Sequence, residues 1–422
     1  MDTKNQTNFG DSQFDYLFSA IADKFPAIGQ DTATTQFQFS GSPMAASWST
    51  GDDIGAYNVA NAVSADVNGF YTPNPGSLYN AYSDLIVSIS PGIDGSKDPL
   101  YLKTLKQQND AIANCQTALN NAKMAWATYV QQNTDPKTGL PAETEAAWLA
   151  DELGGLEYQQ AIDQANSAKS TISNNLSLLV ATFDAALAAD QKKLTDPANC
   201  SIYETTKGGT ITLPTIALSG NLGADVTNWD AYGATDFDLD VTLTKDSTVT
   251  TPWKTVYQTN VEQHCFETSV STSITSTRII QDSNYKLRVM CKGLKSYNVS
   301  FGDWYSSSYV NPQTAVFSPA STVNSETFFS ALNGSLHMIP SQIWVMYQPS
   351  IQLTISTDTF KETIEGTLNS NIDWVDILSF RFDCTAGASM AEVGETTTTI
   401  TFNSPVLAGP QIFGVTSLKM IL

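Results

Sequence analysis

Charge is sparse in this chain, cysteine and histidine are rare, and long apolar runs are missing. Asp, Glu, Lys and Arg make up 15% of its 422 residues, against roughly 25% in typical soluble domains. The polar surface must therefore come from Thr, Ser, Asn and Gln. Such a composition suits secreted proteins, large assemblies and barrel-forming strands better than ordinary cytosolic enzymes. Basic residues are in the minority: 21 Lys and Arg stand against 42 Asp and Glu, a net charge of −21. A field of that sign repels phosphate backbones and anionic headgroups. It excludes nucleic acid as a partner and leaves membrane contact to apolar burial or neutral receptors.

Five cysteines (Cys115, Cys200, Cys265, Cys291 and Cys384) are odd in number and scattered without metal spacing, too few for a disulfide scaffold, and read best as buried thiols. With only two histidines, His264 and His337, a zinc site or a His-based triad is disfavoured. His264 adjoins Cys265, but neighbours on a strand face opposite sides and form no nucleophile–base pair. His337 lies in an apolar LHMI context and reads as a core residue. Nucleophile-elbow, dinucleotide and P-loop motifs are absent. The chain reads as non-enzymatic and without a cofactor. No run approaches the ~18 apolar residues of a membrane-spanning helix. The polar opening from Met1 to Phe14 has no apolar core, which reads as no signal peptide: a protein made in the cytoplasm and released, if at all, without a leader.

What is present changes character near residue 200. Residues 11–25 carry Phe14, Leu17, Phe18, Ile21 and Phe25 at helical spacing before Pro26. Residues 30–76 read as long loops with one strand at Phe37 and Phe39, and 77–88 as a short helix. From Pro99, Leu105, Ile112, Leu119 and Trp126 recur every seven residues until NTDPKTGLP breaks the pattern after residue 132. A short helical piece at 143–153 and the pair Gly154–Gly155 precede a second seam, from Tyr158 through Ile172 and Leu179 to about Lys193. Two helices of about 35–40 residues, roughly 50–60 Å each, with one connection, argue for an antiparallel hairpin. Its stretch Leu176 to Ala189 is more apolar than a two-helix seam requires. The surplus face, with Leu178 and Leu187, needs cover from the β region, from residues 11–25, from another subunit or from a membrane.

Beyond Pro197 the period becomes two. Strands are expected at 209–218, 237–244, 247–258, 265–281, 284–293, 296–302, 342–357, 360–368, 376–385, 394–403 and 411–420. The apolar tail from Val406 reads as a buried closing strand. The expected fold is α+β and multidomain: a long antiparallel α-helical hairpin over about 98–194 with an all-β, sandwich-like C-terminal half. Residues 1–97 would form a mixed cap with one or two short helices, 98–196 the hairpin, and 197–422 an antiparallel β-sandwich region of one or two sub-domains.

Candidate sites are few. Asp236, Asp238 and Asp240 share one strand face, a weak Ca²⁺ candidate that reads better as a solvated acidic face without metal. Two aromatic segments, Trp229–Asp230–Tyr232 and Trp304–Tyr305 with Tyr309, are read as loops. They combine ring faces with polar neighbours, as stacking on a sugar requires, and suit half-buried edges equally. The uncharged runs Thr268–Thr277 and Thr396–Phe402 resemble membrane-inserting β-hairpins and, more simply, exposed sandwich strands. A helical hairpin joined to a β-sandwich resembles the architecture of some bacterial insecticidal and pore-forming toxins. Tail, sheath and inclusion components of large assemblies share it. The resulting expectation is a toxin-like protein that forms homo-oligomers, its β region contacting a membrane or glycan receptor and its hairpin serving membrane attack or oligomerisation. A self-assembling structural protein and a glycan-binding module are the alternatives.

Overall fold

The computed structural model describes residues 9–25, 34–45, 54–67, 70–92, 97–134, 141–142, 145–149, 151–204, 210–232, 239–244, 266–268, 278–279, 281–331, 334–369, 374–378, 380–383, 389–403 and 409–420. The expected strand at 247–258, most of the one at 265–281, the run from 269 to 277, and His264, Cys265 and Cys384 lie outside them.

The protein is α+β. Its first part contains helix α1 (Phe9–Lys24), strand β1 (Thr35–Ala45), α2 (Ile54–Ala60), β2 (Ala62–Val67), β3 (Phe70–Ser77) and α3 (Leu78–Ser88). Then come the long helix α4 (Pro99–Asn133), the short α5 (Glu145–Leu149), α6 (Leu156–Val180) and α7 (Ala185–Lys193). Strands β4 (Cys200–Glu204), β5 (Thr210–Pro214) and β6 (Ile216–Leu218) lead to α8 (Leu222–Tyr232), β7 (Leu239–Thr244) and β8 (Phe266–Thr268). The long strands β9 (Lys286–Phe301) and β10 (Met338–Ser356) enclose the short α9 (Ser325–Phe329), and α10 (Thr357–Thr363) and α11 (Glu365–Asn369) follow. The chain closes with β11 (Trp374–Ile377), β12 (Phe380–Asp383), β13 (Ser389–Val393), β14 (Thr397–Phe402) and β15 (Pro410–Lys419).

Local chemistry explains the helix boundaries. Asp98 accepts hydrogen bonds from Leu100 N at 2.9 Å and Tyr101 N at 2.8 Å, and Pro99 follows it in the first turn of α4. Ser77 caps α3 in the same way. The second seam is not one helix running to Lys193: α6 ends at Val180, and Asp184, in an extended conformation, takes the Leu187 N–H and starts α7. A carboxylate that can cap a new helix competes with continuing the old one. Residues 360–368, expected as a strand, are helical instead. Ser356 caps that turn, and Phe360 and Ile364, four residues apart, are both buried. The loops expected within 54–76 contain α2 and the antiparallel β2–β3 pair.

One sheet holds most strands, in the order β13-β14-β10-β15-β1-β3-β2, with β9 on the other edge of β10 and β6 and β7 beyond β9. Strand β10 changes partner along its length: Met338 to Tyr347 pair with β15, and Ile351 to Ser356 with β14. The change coincides with Gln348, at φ 46°, a left-handed conformation that non-glycine residues rarely adopt. Strand β15, buried as its apolar content predicts, runs between β10 and β1. Strand β14 is interior rather than exposed, with Thr398, Ile400 and Phe402 fully buried.

Two apolar cores result. One contains Phe14, Leu17, Phe18 and Ile21 of α1 with Phe37, Phe39, Phe70, Trp344 and Phe413 of the sheet. The other joins α3, the near end of α4, and Leu176, Val180 and Leu187 to Ile339, Ile343 and Val415. Helix α1 is therefore packed on strands and shares no core with α6 or α7. Leu187 is covered within the second core, whereas Leu178 stays 61% exposed. Helices α4 and α6 lie against each other. Gln108 Nε2 donates to Ser173 Oγ at 2.8 Å, and farther out Trp126 and Tyr129 meet Tyr158 through Trp148. These contacts run in opposite order along the two helices.

Candidate functional site

The aromatic residues singled out above anchor elements to one another. Trp229 and Asp230 lie on α8, not in a loop. Trp229 sits over Gly293 of β9 so closely that a Cβ there would be 2.2 Å from its ring. It stacks beside Tyr347 with centroids 6.1 Å apart. Tyr347 donates its hydroxyl proton to Asp230 at 3.2 Å and accepts from Gln348 Nε2. Burial, the Asp230 charge and that hydrogen bond push the Tyr347 phenol up. One turn earlier, Asp225 accepts from Lys295 Nζ and Tyr297 Oη, both at 2.8 Å. Tyr232 is the last residue of α8.

Trp304 is 1% exposed and donates Nε1–H to Thr215 O at 2.8 Å. Its ring is packed by Tyr79, Tyr82, Phe301 and Tyr305, so no open face is left for a ligand. Tyr309 donates to Asp190 of α7 at 2.7 Å. No ring contact joins this group to the Trp229 group among the described residues. Asp240 lies on β7 opposite Met290, while Asp236 and Asp238 fall outside the described residues. Among the described residues, no three His, Cys, Asp or Glu side chains come together in a way that would hold a metal. His337 is buried with Nδ1 2.6 Å from Gly334 O. Cys115 and Cys291 are buried as expected, and Cys200 is half-buried.

The least conventional chemistry lies where α3 meets α4 and α6. Lys169 Nζ lies 2.9 Å from Asp84 Oδ1, with the two side chains 7% and 14% exposed. Burial drives the Asp84 carboxyl up, and the neighbouring ammonium opposes it. Cys115 is buried nearby; burial raises its thiol, Lys169 pulls it down and Asp84 pushes it up. Gln108 and Gln191, both buried, each carry a side-chain oxygen without a hydrogen-bond partner among the described residues. Two clefts, each of about 240 Å³, flank α3 at this junction. Sequence reasoning missed the ion pair. Its one signal is a lysine between Ala165 and Ile172 on an otherwise apolar helix face.

Beyond the junction, α4 and α6 lie against each other and against the short α5. The last buried residue of α4 is Ala122 and the first of α6 is Lys169. Trp126, Tyr129, Trp148 and Tyr158 form a ring cluster at the far end. Gly155 holds it tight, since a Cβ there would lie 2.6 Å from the Trp148 ring. Leu153, next to Asp151 and Glu152, is 98% exposed. Among the described residues no helix is long and apolar enough to cross a membrane.

Comparison of the chain with protein-family models, curated proteins and solved structures gives no match.

Proposed function

We propose that α4 and α6 form one antiparallel helical hairpin, an arm on a sandwich-like β body, and that the protein is a non-enzymatic, toxin-like one acting through self-association of this arm. A single observation carries the reading. The part of the 35-residue helix α4 beyond Ala122 holds no buried residue, yet the packed rings of Trp126, Tyr129, Trp148 and Tyr158 stiffen it, and Leu153, between α5 and α6, is 98% exposed. A scaffold element would be buried along its length; an arm that packs only on itself is built to reach another surface. The partner is a second copy of the chain, and the β body contacts the receptor. The arm's modest hydropathy favours assembly over direct insertion as the first step.

Each copy is strongly acidic, with a net charge of −21. Association must overcome like-charge repulsion, so added salt, which screens exposed charges, promotes it. Sedimentation and electron microscopy, with and without liposomes, test the reading. Wild type is expected to form discrete rings as ionic strength rises, and Leu153→Asp to remain monomeric. A monomer at every salt concentration, unaltered by liposomes, removes the proposal. Filaments formed without liposomes favour the structural-protein alternative, which the same arm would serve.

A further inference from the structure

The cleft between α3, α6 and the end of α7, about 240 Å³, has an unusual lining. Its walls include Tyr79, Asn80, Asn166, Lys169, Ser170 and Gln191, and the remaining positions are Ser, Thr and Asn around two aliphatic residues. Gln191 is 95% buried by virtue of its 5% exposure, donates Nε2–H to Ile86 O at 3.1 Å and leaves Oε1 unpartnered among the described residues. A buried amide oxygen without a donor is costly, and such groups are ordinarily satisfied by water or by a ligand. Lys169 uses one donor on Asp84 and keeps others, because an ammonium carries three. The Asn80, Asn166 and Ser170 side chains bond to no other described residue, so their donors and acceptors are open to a guest.

Charge selects the class of guest. Lys169 is the sole ionised group on this lining, and its charge is already matched by Asp84. An anion would compete with a buried carboxylate, and a cation would meet an ammonium. What fits is a neutral molecule whose groups donate and accept at once, and the hydroxyl does both. The volume lies below the roughly 300–1,000 Å³ of sites for drug-sized ligands, which restricts the guest to a single ring.

We propose that this cleft binds one ring of a neutral polyhydroxylated molecule, a sugar residue, with a hydroxyl donating to Gln191 Oε1 and others engaging Lys169, Asn166 and Ser170. The site belongs to the base of the arm, and its lining includes none of Trp229, Asp230, Tyr232, Trp304, Tyr305 and Tyr309, although Tyr79 on its wall packs against Trp304. It goes beyond the proposed self-association and does not depend on it.

Saturation-transfer NMR with free hexoses and N-acetylhexosamines, together with a glycan array displaying the same sugars as terminal residues, tests the assignment. Saturable binding of at least one neutral sugar is expected, weakened about tenfold by Asn166→Ala and by Ser170→Ala, the worth of one hydrogen bond. Both positions are only half-buried, so folding is preserved. Leu153→Asp, at the far end of the arm, should bind as wild type does even if it abolishes assembly. Binding on the array identifies a surface glycan as the source, and binding of free sugar alone identifies a soluble one. No saturable transfer to any sugar, or transfer that neither rim variant changes, overturns the proposal.

Discussion

Asp282 gathers four hydrogen bonds on one carboxylate. Asn284 N (2.8 Å) and Ser356 N (3.1 Å) donate to Oδ1, and the Ser356 and Thr359 hydroxyls, both at 2.5 Å, donate to Oδ2. Burial alone would raise its pKa, but the donors outweigh burial and hold it below its ordinary 3.8. The sign of the pH effect follows. The unfolded chain binds the proton more readily, so the stabilisation is complete above the ordinary value and is lost as pH falls through the folded one. Asp282→Ala should cost roughly 2–4 kcal/mol at neutral pH. In melts from pH 2 to 5, its deficit relative to wild type should shrink toward the acid end. The Asp84–Lys169 pair behaves differently. Lys169→Met leaves a carboxylate buried alone and should cost about 3–5 kcal/mol. The double variant with Asp84→Leu should recover most of that loss, a coupling read from a denaturant double-mutant cycle. This pair was illegible in the sequence. The position of Lys169 on an apolar face shows that it is odd, but only the three-dimensional meeting of α3 and α6 supplies its partner. Trp229 and Trp304 were legible as important but not as to role, because a ring beside Asp suits a sugar contact and a helix–sheet contact equally.

Among the elements, those whose ends carry their own chemistry were the readable ones. Asp98–Pro99 and Ser77 set the starts of α4 and α3 through side-chain caps visible in the sequence. Where a polar residue has two local options, the pattern failed: Asp184 splits the second seam, and the Thr- and charge-rich 357–369 segment coils although its composition imitates the neighbouring strands. Strand β3 was hidden by its Pro, Gly and Asn content, and β2 by lying in a Gly-, Ser- and Asn-rich stretch; they pair with each other, and β3 meets β1 in parallel at Ser40 and Tyr71. Two substitutions probe elements. Ile112→Asp puts a charge at a 3% exposed position between α4 and the body and should cost on the order of 3–5 kcal/mol in denaturant unfolding. Gly155→Ala drives a methyl group into the Trp148 ring. Because the described ring contacts of that cluster lie within α4, α5 and α6, hydrogen exchange should accelerate over residues 123–133 and 156–165 while amides of β9 and β10 keep their protection.

For the whole molecule, α1 is a structural part of the body. Phe14, Leu17, Phe18 and Ile21 are all at or near zero exposure against the sheet. At about 1.5–3 kcal/mol for each buried side chain, their removal approaches the 5–15 kcal/mol that holds a typical domain together. A chain lacking residues 1–28 should therefore expose Trp344 and Phe37, bind a hydrophobic dye and precipitate, with no sharp melting transition left in calorimetry. A soluble, cooperatively melting truncation would mean that the sheet face needs no such cover.

The pairing of β1 with β15 places Thr35 opposite Leu418. During synthesis, which proceeds at about 5–20 residues per second, β1 is made long before β15, because the two lie far apart in the sequence. For most of that interval Phe37 and Phe39 have α1 on one side and no strand along the β15 edge. Until β15 has been made, the nascent chain thus presents a half-built sheet edge to its neighbours on the polysome, and a chaperone that shields this edge over that interval is expected to raise its yield in a cell.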